Sequence, residues 1–215
     1  MHLPDDPIPT LGALVLAGAL LTLVGEYVGR RWLVYVFKPV TTALVIAAAL
    51  LDQPTAPPFY RRAIVAGLAL SWVGDVCLML PRDRFVAGLA AFFGAHLCYI
   101  TAFLSLGRPV LSLTVLAPLL GYAVLLLLRV QAGAGRLAPV VALYAGALAS
   151  MAWLAVGRAL HVHTMPVLFA AGGALLFVVS DSVLAYDRFR VAFNKAPAII
   201  LTTYWAAQWL IARSV

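Results

Sequence analysis

Charge is what this sequence has least of. Only 11% of its 215 residues are Asp, Glu, Lys or Arg, against about 25% in an ordinary soluble domain. A chain this short has a high surface-to-volume ratio, and so few charges could not hold that surface in water. With 64% of the residues apolar, lipid must be the solvent for most of the molecule. Cysteine is nearly missing too. Cys77 and Cys98 both lie inside apolar runs, which excludes a disulfide framework and any metal-type cysteine spacing. Lys and Arg number 15 against 8 Asp and Glu, a net charge of +7, but there is no basic block. The cations are scattered between apolar runs, where they anchor and orient helices. No basic stripe interleaves with aromatics, so nucleic acid is not an expected partner. A Gly-rich phosphate loop is absent, as is a Ser or Cys nucleophile with a nearby base.

What the sequence has in abundance is long apolar runs, and a spanning helix needs about 20 such residues. They lie at Leu11–Tyr27, Trp32–Leu51, Ala63–Leu80, Phe85–Leu106, Val110–Val130, Leu137–Val156, Met165–Tyr186 and Ala196–Ile211. Turn-forming residues punctuate them: Gly29-Arg30-Arg31, Gln53-Pro54 through Pro57-Pro58, Pro81-Arg82-Asp83, Gly107-Arg108-Pro109, Gly133-Ala134-Gly135 and Asn194-Lys195-Ala196-Pro197. Alternating β-type patterning is absent, which excludes a barrel. The expected fold is therefore all-α, a polytopic membrane protein of about eight transmembrane helices forming one domain over residues 1–215. Met1 to Thr10 carries Asp5 and Asp6 and no Lys or Arg, so the first run reads as a true span and not a cleaved signal.

With eight spans, the odd loops share one side of the membrane. They hold Arg30, Arg31, Arg82, Arg84, Arg129, Arg136, Arg188, Arg190 and Lys195, whereas the termini and even loops hold Arg61, Arg62, Arg108, Arg158 and Arg213. That bias places both termini outside and the odd loops in the cytoplasm, although Arg61-Arg62 pulls the other way. A short internal repeat accompanies this layout. Gly74-Asp75-Val76-Cys77-Leu78 precedes Asp83-Arg84-Phe85, and Ser180-Asp181-Ser182-Val183-Leu184 precedes Asp187-Arg188-Phe189. The match suggests a 4+4 parallel duplication with halves 1–107 and 108–215.

An ionisable residue in hydrocarbon costs at least about 2.5–3.5 kcal/mol, so each one within a span is a functional candidate. Asp75 and Asp181 sit near the ends of spans three and seven, just before odd loops. They are expected at one depth in one leaflet, facing each other if the repeat holds. Two carboxylates close together in low dielectric do not both ionise cheaply, which supplies one acid and one base. The alternative is a pair of structural carboxylates hydrogen-bonded to hydroxyls such as Ser71 and Ser180. Lys38, opening span two, could bind a lipid phosphate, compensate the aspartates or snorkel to the interface. Glu26 ends span one on the same side, either near the site or simply solvated. His96 and Tyr99 share a face of span four, and Tyr204 and Gln208 share a face of span eight; either pair could line a pocket or act as packing glue. His161 and His163 lie in the sixth loop with no carboxylate nearby, so no metal site is expected there.

Ser71-Trp72-Val73-Gly74-Asp75-Val76-Cys77-Leu78, followed by Phe92-Phe93-Gly94-Ala95-His96-Leu97-Cys98-Tyr99, resembles the YhhN family of membrane proteins, which includes the animal lysoplasmalogenases. Lys38-Pro39 with Thr41-Thr42, Phe177-Val178-Val179-Ser180-Asp181-Ser182-Val183-Leu184, and Tyr204-Trp205-Ala206-Ala207-Gln208 resemble its other signatures. The resemblance implies hydrolysis of the vinyl ether bond of lysoplasmalogen, releasing a fatty aldehyde and a glycerophospho-base. It implies Asp75 and Asp181 as catalytic residues, with Lys38, His96, Tyr99, Tyr204 and Gln208 around the substrate; Glu26 joins the expected substrate-binding set only by its place at the end of span one. The implied partners are a lysophospholipid and the bilayer, with no cofactor and no metal. An inner-membrane location follows, with the site toward the cytoplasmic leaflet. Two rivals use the same residues differently. A proton-coupled lipid or solute transporter would place its acids near the midplane, and a metal-dependent amidase would need three clustered histidines.

Overall fold

The computed structural model describes residues 6–52 and 56–215, so Asp5 and the Gln53-Pro54 break lie outside the described residues. Eight helices follow one another: α1 (Pro7–Val28), α2 (Arg31–Leu51), α3 (Pro58–Met79), α4 (Phe85–Leu104), α5 (Leu113–Ala134), α6 (Ala138–Ala159), α7 (Met165–Phe189) and α8 (Ala196–Ala212). No strand occurs among the described residues. The ends carry the chemistry that helix termini require. Asp6 caps α1 by accepting from the Ile8 N–H at 3.0 Å. Proline opens α1, α3, α6, α7 and α8, where its missing N–H has no helical partner to lose. Gly29 closes α1 in the left-handed region at φ 72°.

Six helical stretches are long and apolar enough to cross a membrane. One of them, Leu113–Ala159, spans 47 residues and contains both α5 and α6, while α8 is shorter at 17 residues. Large apolar side chains cover the outside: Leu113 is 74% exposed, Leu16 67% and Leu125 63%. Such a surface is tolerable only in lipid, and the chain is a multi-pass integral membrane protein. Inside, α4 packs on α3 and α6, and α8 packs on α7 and against α1, α2 and α3. Glycine permits the tightest of these approaches. A Cβ at Gly67 would stand 2.3 Å from the Tyr99 ring, and one at Gly173 would stand 2.8 Å from the Ala207 carbonyl oxygen.

Candidate active site

Asp75 lies one turn from the end of α3 and is 1% exposed. Its Oδ2 accepts hydrogen bonds from the Thr42 hydroxyl and the Tyr204 hydroxyl, each at 2.7 Å. Its Oδ1 faces the Lys38 ammonium at 3.4 Å. The supporting groups come from α2, α3 and α8. The indole N–H of Trp205 donates to Thr42 Oγ1 at 3.2 Å, and that of Trp72 donates to the Pro39 carbonyl at 3.0 Å, beside Lys38. Lys38 therefore points inward to compensate a carboxylate instead of snorkelling to the interface. A buried charge needs this much satisfaction, because an unpaired ion in low dielectric is strongly disfavoured.

Asp181 lies on α7, two turns from its end, with a side chain 10% exposed. Tyr144 of α6 donates to its Oδ2 at 2.5 Å. The fully buried His96 places Nε2 3.8 Å from the same oxygen, too long for a hydrogen bond. Neither ring nitrogen of His96 has a hydrogen-bond partner among the described residues. The imidazole is held instead by rings, edge-on to Tyr144 at 5.1 Å and to Phe177 at 4.8 Å. No Lys or Arg pairs with Asp181 among the described residues.

Both carboxylates line one cavity of about 280 Å³. Leu78, Phe92, Leu184, Ile200 and Leu201 form apolar walls, and Glu26, Arg82, Asp83, Arg84, Asp187 and Arg188 form a charged mouth. The mouth opens where α1, α3 and α7 end. An ion pair between Asp83 and Arg188 crosses it. The hydrogen bond from Arg188 and the Phe85 N–H hold Asp83 below the usual carboxylate range. An apolar cleft with a few convergent polar groups at its floor and charges at its rim suits an amphiphile. A second cavity, about 320 Å³, lies at the opposite end between Tyr60, Phe103, Leu154 and Arg158. No Asp or Glu lines it among the described residues.

Of the residues singled out from sequence, Asp75, Asp181, Lys38 and Tyr204 meet in the cavity, with Glu26 exposed at its mouth. Tyr99 and Gln208 stand behind it, where Tyr99 donates to Gln208 Oε1 at 2.8 Å. The serines expected as structural partners play no such part. Ser180 donates to the Ile200 carbonyl, and the Ser71 hydroxyl makes no bond to Asp75. His161 and His163 lie between α6 and α7, at the far end from the carboxylates. No group of three His, Cys, Asp or Glu able to hold a metal ion occurs among the described residues. Tyr144 was not expected. Its only sequence signal is a tyrosine in an Ala- and Leu-rich span.

The profile of the YhhN family matches residues 33–215. The chain is 41% identical over 160 residues to the human protein named lysoplasmalogenase TMEM86B, covering 72% of this chain and 64% of that relative. It is 33% identical over 201 residues to a Mycobacterium bovis protein named lysoplasmalogenase, covering 86% of this chain and 71% of the relative. An Escherichia coli O157:H7 protein named uncharacterized membrane protein YhhN is 32% identical over 205 residues, covering 94% and 96%. The chain thus spans less than two thirds of the human relative's length. No solved structure matches.

Proposed function

This chain belongs to the YhhN family, and we propose that it is a membrane-embedded hydrolase that cleaves the vinyl ether bond of lysoplasmalogen or a related lysolipid. The observation that carries the reading is one amphiphile-shaped cavity with two buried carboxylates of unlike surroundings at its floor. The names of the human and Mycobacterium bovis relatives support it. Among the named relatives none is called a transporter, and the acids lie toward one end of their helices, so neither observation supports transport.

The two aspartates divide the chemistry. Asp181, without a cationic partner, carries the proton; its Oδ2 accepts from Tyr144, and the residue lines the cavity. It delivers that proton to the alkene carbon remote from the ether oxygen, and an oxocarbenium ion forms. Asp75, kept as a carboxylate by Lys38, Thr42 and Tyr204, stabilises the cation and takes a proton from the attacking water. A hemiacetal results. As it collapses, its hydroxyl proton returns to Asp181 and Asp75 protonates the departing glycerol oxygen. The products are a fatty aldehyde and a glycerophospho-base, and both carboxyl groups regain their starting states. Glycosidases handle a related oxocarbenium ion with two carboxyl groups.

The same proposal includes a topology. Each of α5 and α6 has 22 residues, long enough to cross separately, and α8 completes eight crossings of one domain. A 4+4 relation between residues 1–107 and 108–215 is supported by packing. It exchanges the α4–α6 contact with the α8–α2 contact, and both occur, although the α5–α7 and α1–α8 contacts have no counterpart in α1–α3 or α4–α5 among the described residues. Gly67 precedes Asp75 by the spacing at which Gly173 precedes Asp181, and each glycine receives the next helix. The Arg-rich ends around the cavity mouth support a site toward the cytoplasmic leaflet of the inner membrane. Purified protein incubated with lysoplasmalogen should release an aldehyde that a hydrazine reagent traps. Intact lipid after long incubation would remove the assignment.

A further inference from the structure

The charges at the cavity mouth balance: Arg82, Arg84 and Arg188 stand with Glu26, Asp83 and Asp187. A mouth shaped for a lone anion would carry an excess of cations, whereas a balanced one suits a ligand bearing both signs. The pair that crosses it joins distant segments, since Asp83 precedes α4 and Arg188 lies in the last turn of α7. The Arg188 guanidinium sits 4.9 Å over the Phe85 ring, and Phe85 meets Phe189 edge-on at 5.4 Å. An aromatic surface beside the pair thus already receives a cation. The Arg188 and Asp83 side chains are 43% and 64% exposed, so a ligand can reach both. An ion pair so exposed contributes little to stability and opens easily.

We infer that Asp83 and Arg188 form the headgroup site for a phosphate–ammonium zwitterion, which opens their ion pair and binds between them. The inference rests on the lysolipid reading of the cavity. The planar guanidinium fork of Arg188 matches phosphate oxygens. Asp83, released from Arg188, takes the ammonium with the Phe85 and Phe189 rings alongside. One ion pair is exchanged for two, and neither side chain loses its compensation. A phosphate without an amine would leave Asp83 facing an anion, and an uncharged headgroup would have no cause to open the pair.

The test uses full-length protein in detergent and alkenyl ethers of one chain length with phosphoethanolamine, bare phosphate or uncharged glycerol headgroups. Arg188→Gln should lower the ratio of kcat/KM for phosphoethanolamine to that for glycerol about tenfold, and Arg188→Lys should recover part of it. Asp83→Asn should lower the preference for phosphoethanolamine over bare phosphate by about tenfold. Ratios that stay put in both variants overturn the headgroup site, even if every rate falls. A saturated ether lysolipid with phosphoethanolamine, which cannot be cleaved this way, is titrated by calorimetry in parallel. Weaker binding to Arg188→Gln supports the site without any chemistry, and unaltered binding overturns it. Wild-type protein that binds this lipid but releases no aldehyde from any ether would sink the hydrolase reading and leave the headgroup site standing.

Discussion

Asp75 and Asp181 follow a small residue and precede a leucine in matching motifs, yet their neighbourhoods differ in kind. Asp75 has an ammonium on one oxygen and two hydroxyl donors on the other. Asp181 has one phenol and an imidazole beyond hydrogen-bond reach. The first set of partners satisfies an anion; the second leaves a carboxyl group free to hold a proton and give it up. Duplicated segments could thus supply two copies of one acid, and unlike neighbours drawn from α2, α6 and α8 would separate them into a base and an acid.

Removing either carboxyl group tests that division most severely. Asp75→Asn and Asp181→Asn should each lower aldehyde release by about 10²–10⁴-fold, and the double variant should be little worse than either. Stability should distinguish them. Asp75→Asn leaves the Lys38 charge buried without its partner and should cost about 3–5 kcal/mol, whereas Asp181→Asn strands no ion. Lys38→Met combined with Asp75→Asn should recover much of the loss in thermal unfolding in detergent. Equal destabilisation by both single variants would erase the contrast.

The tyrosines sharpen it on a finer scale. Tyr204→Phe removes a hydrogen bond to a charged group and should cost about 1.5–3 kcal/mol, while Tyr144→Phe removes one to a neutral acid and should cost about 0.5–1.5 kcal/mol. Costs in the reverse order would exchange the roles of the two aspartates.

Asp75 and Asp181 were legible in the sequence because a carboxylate inside an apolar run has no cheap structural excuse. Lys38 was legible as a cation near the start of span two, and Tyr204 as one of a polar pair with Gln208 on a face of span eight. Which of their possible roles they play was not, because pairing is decided by how α2 and α8 lean on α3, and no local periodicity encodes that. Tyr144 illustrates the limit. A tyrosine in a span reads equally well as an interface anchor or a packing ring, and only the approach of α6 to α7 makes it a donor to Asp181. Thr42 stood out only within a family signature; its hydroxyl gained a partner when α2 met α3. The apolar runs located the helices well, since length and hydropathy are local properties.

The smallest effect belongs to the mouth of the cavity. Asp83 is held below the usual carboxylate range, first by Arg188 and then by the Phe85 N–H. A lowered value in the folded protein means that its contribution is present above the ordinary carboxylate pKa and lost as pH falls through the lowered one. Any gap in melting temperature between wild type and Asp83→Asn should therefore exist at neutral pH and close in acid. A gap that widens in acid would contradict the ion pair.

If a carboxylic acid protonates the alkene carbon, that carbon must acquire a hydrogen from solvent. Lysoplasmalogen is turned over in D₂O, the aldehyde is trapped as it forms, and its mass is read beside a control in which authentic aldehyde meets the same protein and trap. One deuterium is expected on the carbon next to the carbonyl, absent from the control, together with slower turnover than in H₂O. Aldehyde released without deuterium at that carbon would contradict protonation of the alkene.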